Sequence, residues 1–259
     1  MYQRAFDCMG TVFTFQVADD VSEGQAEHLC QNAFEILVDA DNQFSLYKPE
    51  SEISQLVSGA LAWEKASGVQ RDVRDQTDIW KEATGGYFNA VSPEGKYDPS
   101  GLVKSWAADN ACRFLEANGL RVFTLNAGGD VFLGPDVASA PLARVGLANL
   151  KPIGSQGAGA NIILDLGHSE FRAVATSGSV ERGEHIWHKS DQRDFLQATV
   201  IGKDLITADI WATALISGGR QAIELFEDRV SPKEAVAFAV ANRGGVIATA
   251  GFAELLATL

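Results

Sequence analysis

Asp209 and Thr213 lie four residues apart in Thr207-Ala208-Asp209-Ile210-Trp211-Ala212-Thr213-Ala214-Leu215. On a helix such a pair shares one face, with Cβ atoms about 5–6 Å apart. A carboxylate and a hydroxyl so placed offer two hard oxygen ligands to a cation such as Mg²⁺. The same residues also admit a purely structural reading, in which Thr207 is the N-cap, Asp209 opposes the helix dipole in the first turn, and Thr213 returns its hydroxyl to a carbonyl.

Four further clusters carry groups able to hold a phosphorylated ligand. In Tyr97-Asp98-Pro99-Ser100-Gly101-Leu102-Val103-Lys104 a glycine and a lysine fall in the opening turns of a helix. Free backbone N–H groups and a positive charge there suit phosphate, although the spacing is not that of a Walker loop. Asn126-Ala127-Gly128-Gly129-Asp130 follows a strand; it fits an ordinary turn, or bare backbone against which a ring or a phosphate could lie. Thr176-Ser177-Gly178 brings small hydroxyls, and beyond it Arg182 suits phosphate and His185 suits proton transfer near neutrality. Zinc at His185 and His188 is disfavoured, because no Cys or His partner set stands at metal-ligand spacing. Phe44-Ser45-Leu46-Tyr47 through Ser51-Glu52-Ile53 reads by itself as a capped turn, with Ser51 capping a short helix.

The elements that must position these clusters follow from periodicity. Alternation over 11–17 predicts a strand, and helical spacing predicts helices over about 22–42 and 69–83, the second ending at Gly85-Gly86. Asp98 as N-cap and Pro99 as first helical residue open a helix running to Asn118 and closed by Gly119. Strands are expected at 121–126, 142–148, 160–166, 171–176, 196–202 and 245–250, and helices at about 206–217, 219–227 and 232–242. Runs of strands and helices without strict alternation indicate an α+β fold with largely antiparallel sheets.

Composition narrows the function. The 259 residues, 46% hydrophobic, suffice for a substantial core. A net charge of −13 argues against sequence-independent nucleic-acid binding, which needs a basic face. Three cysteines, Cys8, Cys30 and Cys112, fit a reducing compartment better than a disulfide framework. The first residues, Met1 to Cys8, carry no apolar segment, and no stretch reaches the length of a membrane span. A cytoplasmic protein without a transmembrane segment is the expectation.

Taken in order, the clusters resemble the FAD:protein FMN transferases, the ApbE family. The matching positions are Met9-Gly10-Thr11, Phe44 to Tyr47 with Ser51 to Ile53, Gly86-Tyr87-Phe88, Asp98 to Lys104, Asn126 to Asp130, Thr176-Ser177-Gly178 with His185-Ile186, and Asp209 to Thr213. The resemblance implies one ApbE-like domain across 1–259. It implies an enzyme that binds FAD and Mg²⁺, cleaves the pyrophosphate and moves FMN to a threonine hydroxyl of an acceptor protein, releasing AMP. By the same likeness Asp209, Thr213 and the Val103 carbonyl hold the metal. Lys104, Asn126, Gly128, Gly129, Asp130, Thr176, Ser177 and Gly178 line one wall of the FAD site, with Ser45, Tyr47 and Glu52 on the other. Asp209 and His185 take the catalytic roles, His185 as the base that accepts the threonine proton.

The chain departs from the family pattern at Asn89, where aspartate is usual, at Val103, where alanine is usual, and at Ser105, where glycine is usual. After His185-Ile186 the family continues x-Asp-Pro-x-Thr-Gly, whereas here Trp187-His188-Lys189-Ser190-Asp191-Gln192 follows. Two other functions use the same residues: an FAD pyrophosphatase in which water replaces the threonine, and an FAD-binding protein without turnover.

Overall fold

The computed structural model describes residues 1–137, 141–150, 160–178, 194–242 and 244–257. Strands β1 (Tyr2–Cys8), β2 (Thr11–Val17), β3 (Phe123–Ala127), β4 (Asp130–Leu133), β7 (Ala173–Gly178), β8 (Phe195–Gly202), β9 (Ala235–Ala241) and β10 (Val246–Ala248) form one sheet in that order. Strands β5 (Arg144–Leu150) and β6 (Ala160–Asp165) form a separate ribbon. Among the described residues every strand pairing is antiparallel, in keeping with an α+β architecture.

Helices α1 (Glu23–Phe44), α4 (Ser100–Ala117) and α5 (Leu205–Arg229) cover one face of the large sheet, with α2 (Glu52–Ser58) and α3 (Gly68–Ala83) at their flank. Phe13, Phe15, Leu125, Ala175, Ala198 and Val200 point into this helical layer and are fully buried. Leu133, Val174, Ile201, Val236, Phe238 and Val240 point to the opposite face, where Val145, Leu147 and Leu164 of the ribbon cover them with Phe252 and Leu255. None of the helices among the described residues is long and apolar enough to cross a membrane.

Most expected elements recur within a few residues of their predicted bounds, with three instructive differences. The segment predicted as a helix over 232–242 is strand β9, buried along its whole length. Ala235, Ala237 and Ala239 face the helices while Val236, Phe238 and Val240 face the ribbon. Burial on both faces removes the polar–apolar alternation that marks a half-exposed strand. The predicted helices 206–217 and 219–227 are one element broken at Gly219, whose φ of 59° and ψ of −137° are not helical. Strand β1, absent from the sequence-based expectation, pairs residue for residue with β2 through a tight turn. Met9 and Gly10 have φ of 50° and 69°, the positive pair that a type I′ hairpin requires.

Close approach of α5 to the sheet depends on the small side chains beneath it. Ala198 is fully buried on that face, so Ala198→Leu should cost about 1–3 kcal/mol through overpacking. Urea denaturation measures this, and an unchanged midpoint would contradict the close packing of α5 on β8.

Candidate functional site

Strand direction brings the polar clusters to one end of the sheet. β3 runs toward the Gly128-Gly129 turn and β4 runs away from it. β7, antiparallel to β4, returns toward the same end and finishes at Thr176-Ser177-Gly178. Helix α4 precedes β3, so its opening two turns, with Val103 and Lys104, also lie there. Helix α5 runs back from the far end of β8 and presents Asp209 and Thr213 as it passes.

At the centre of this arrangement Lys104 Nζ forms a short ion pair with Asp130 Oδ2 and lies 3.7 Å from Asp209 Oδ2. The side chains are 18%, 2% and 7% exposed respectively, so the charges interact largely out of water. Asp130 Oδ1 accepts the Thr176 N–H at 2.9 Å, which ties β7 to the same carboxylate. The Thr176 and Thr199 hydroxyls lie 2.9 Å apart, and the Ser177 and Thr213 hydroxyls 3.1 Å apart. One cation and two carboxylates therefore connect α4, β4 and α5, while two hydroxyl pairs connect β7 to β8 and α5.

The glycine turn is held from within and from the side. Asn126 Oδ1 accepts the Gly129 N–H at 2.8 Å, and the Gly128 N–H reaches the Val12 carbonyl at 3.0 Å. Gly128 and Gly129 have φ of 64° and 106°, which glycine adopts without steric cost. A Cβ on Gly129 would meet no atom within 4 Å, so the backbone there is open to a ligand. At the end of β7, Gly178 is also a strand residue, paired with Gln197.

The capping reading of Asp209 does not hold. Asp204, not Thr207, is the N-cap, its Oδ1 accepting the Thr207 N–H at 2.8 Å. Asp209 therefore sits in the second turn, beyond the reach of most of the dipole effect, and Thr213 meets Ser177. At α4 the cap also shifts by one: Pro99 is the N-cap residue, Ser100 opens the helix, and Asp98 Oδ1 accepts the Ser100 N–H at 2.9 Å. Burial pushes the preceding Tyr97 phenol up, against the lowering effect of the Thr77 hydroxyl.

The Ser45–Glu52 segment packs beside α4 through Phe44. Phe44 meets Trp106 of α4 edge-on at 5.6 Å. The Ser45 carbonyl accepts the Ser51 hydroxyl at 2.7 Å, and Ser51 caps α2 as expected. Tyr47 is 90% exposed. Glu52 Oε1 accepts the Ser67 N–H at 2.6 Å, so that carboxylate has a structural partner at the start of α3. Arg182, His185 and His188 lie outside the described residues.

Two departures from the family pattern have local explanations. Ser105 is fully buried and donates its hydroxyl to the Leu102 carbonyl at 3.1 Å, so α4 accommodates it. Asn89 Oδ1 accepts the Val91 N–H at 3.0 Å, a local turn that a carboxylate could equally form. Gly86-Tyr87-Phe88 is a packing motif. Phe88 lies 3.2 Å from where a Cβ on Gly101 would stand, and the Tyr87 ring 2.3 Å from where one on Gly218 would stand. Sequence reasoning missed Thr199, Gly218 and Asp194, whose hydroxyl, bare backbone and carboxylate meet their partners only through the fold.

Among the described residues no group of three or more His, Cys, Asp or Glu side chains could hold a metal. A cation here would rest on one carboxylate with hydroxyl and carbonyl oxygens. Such hard donors suit Mg²⁺, which is held by one or two carboxylates together with substrate phosphates.

The ApbE family matches residues 91–237, more than half of the chain, and this protein belongs to that family. The chain is similar in fold to the flavin transferase ApbE from Vibrio cholerae, at 17% identity and a TM-score of 0.75, covering 98% of this chain and 99% of that one. It is similar to the ApbE protein from Thermotoga maritima at 17% identity and 0.74, covering 99% of each. The apo flavinyl transferase ApbE of Pseudomonas stutzeri matches at 21% identity and 0.78, over 98% of this chain and 95% of that one. No curated protein matches the sequence.

Asp130 accepts both from Lys104 and from the Thr176 backbone. Asp130→Ala should therefore destabilise the protein by about 3–5 kcal/mol, the cost of breaking a buried pair on one side. Chemical denaturation checks it; a loss under about 1 kcal/mol would mean that the pair does not hold the sheet end together.

Proposed function

We propose that this protein is a Mg²⁺-dependent FAD:protein FMN transferase, which moves FMN from FAD to a threonine hydroxyl of an acceptor protein and releases AMP. The observation that carries the reading is the convergence of Lys104, Asp130, Asp209 and the Ser177–Thr213 pair at the end of the sheet where the backbone at Gly129 lies open. Family membership and the likeness to flavin transferases support it.

The residues divide the work by their chemistry. Lys104, oriented by Asp130, neutralises charge on the phosphoryl oxygens. The glycine turn lets a large planar or phosphorylated ligand approach the backbone, and the small hydroxyls of Thr176 and Ser177 offer hydrogen bonds along its side. Asp209 and Thr213, with a backbone carbonyl at Val103, would hold Mg²⁺; the Val103 side chain is buried, so only its main chain is available. The bound cation supplies Lewis-acid stabilisation of the charge that develops during pyrophosphate cleavage. In the transfer the acceptor oxygen bonds to the FMN phosphorus, the bond to the bridging oxygen breaks, and AMP leaves with that oxygen. His185 accepts the hydroxyl proton, a role suited to a group with an ordinary pKa near 6.5. Ser45, Tyr47 and Glu52 form the second wall. A flavoprotein with an accessible threonine is the proposed acceptor.

Incubation with FAD, Mg²⁺ and a threonine-bearing acceptor, followed by intact-mass measurement, tests the reading. An FMN-sized gain on the acceptor is expected. FAD consumption with no gain would favour a pyrophosphatase, and FAD binding without consumption a non-catalytic binder. Asp209→Ala should abolish Mg²⁺-dependent turnover in folded protein, and Thr213→Val should reduce it more mildly. Turnover unchanged in Asp209→Ala would remove the metal assignment.

A further inference from the structure

Helix α5 is broken at Gly218-Gly219, and the break is gripped from two sides. The Tyr87 ring packs against Gly218, 2.3 Å from where a Cβ would stand, and its hydroxyl donates to Gln221 Oε1 at 3.2 Å. On the other side Asp194 Oδ2 lies 2.3 Å from where a Cβ on Gly219 would stand, and accepts the Arg220 N–H at 3.0 Å. Asp194 thus caps the second half of α5, satisfying a backbone donor that the break releases. Its own carbonyl accepts the Asn242 N–H at 2.8 Å, which fixes it to the end of β9.

The position of Asp194 links this cap to the strands of the site. Asp194 directly precedes β8, and Ser177 lies near the end of β7. These two residues stand on either side of His185 in the sequence, and both bond to α5: Ser177 to Thr213, Asp194 to Arg220. The helix that presents Asp209 and Thr213 is therefore the common anchor of both strands. Gly219 lies six positions after Thr213, about 9 Å of helix.

We infer that Asp194 is a positioning residue for flavin transfer: by capping α5 at its break it sets the register of α5 against β7 and β8, and so the placement of the reacting groups. The inference rests on the transferase reading proposed above. Small misplacements of reacting groups cost rate steeply while leaving binding contacts largely intact.

The test compares Asp194→Ala, Asp194→Asn and Gly219→Ala in FMN transfer to one acceptor, with calorimetry of FAD binding and hydrogen exchange at the Arg220 amide. Asp194→Ala should lower kcat at least about tenfold with FAD affinity within about twofold, and deprotect the Arg220 amide. Asparagine caps as well as aspartate, so Asp194→Asn should recover kcat to within about threefold. Gly219→Ala, whose new methyl would displace the carboxylate and whose φ of 59° strains any side chain, should lower kcat at least as much as Asp194→Ala. Wild-type kcat in Asp194→Ala, no recovery with asparagine, or a parallel loss of FAD affinity would each overturn the inference. Wild-type protein that transfers no FMN would instead overturn the transferase reading. The Arg220 amide would still show whether the cap exists.

Discussion

The site depends on one buried electrostatic arrangement, the Lys104 ammonium held by Asp130 with Asp209 nearby. Each charge sits on a different element: α4, the start of β4, and α5. Removing two carboxylates from water is costly unless a cation and hydrogen-bond donors compensate. Lys104 and the Thr176 N–H supply that compensation at Asp130. The requirement fixes where the opening turns of α4 meet the sheet and aligns β7 with the glycine turn. The same constraint that costs stability to satisfy gathers a positive charge, open backbone and hard oxygen donors in one place.

Around that centre the fold uses close approaches that only small residues permit. Phe88 packs over Gly101 at the start of α4, and Tyr87 over Gly218 at the break in α5. Two neighbouring aromatic residues thereby brace both helices that carry the central charges. Beneath α5 the sheet is lined by Ala175 and Ala198, both fully buried, which lets the helix lie low enough for Thr213 to meet Ser177. Packing at the glycines and alanines therefore sets the distances at which the polar groups act.

Much of this was legible in the sequence. Helices α1, α3 and α4 carry clear periodicity, the last two with glycine at their ends, and the ordered clusters resemble the ApbE family on sequence alone. The Asp209–Thr213 pair was readable from spacing, but its structural alternative fell only when Asp204 proved to be the cap. β9 was misread because a strand buried on both faces alternates in side-chain size rather than in polarity. Asp194 and Thr199 were missed for a different reason: their partners are 26 and 23 residues away, and no local pattern records such contacts.

In the proposed function this end of the sheet binds FAD through its pyrophosphate, with Lys104 and a cation at Asp209 sharing the charge. Calorimetric titration of FAD and of FMN, each with and without Mg²⁺, addresses it most directly. The account predicts tighter binding of FAD than of FMN, strengthened by Mg²⁺, with that strengthening lost in Asp209→Ala. Equal affinity for the two flavins, indifferent to Mg²⁺, would contradict it.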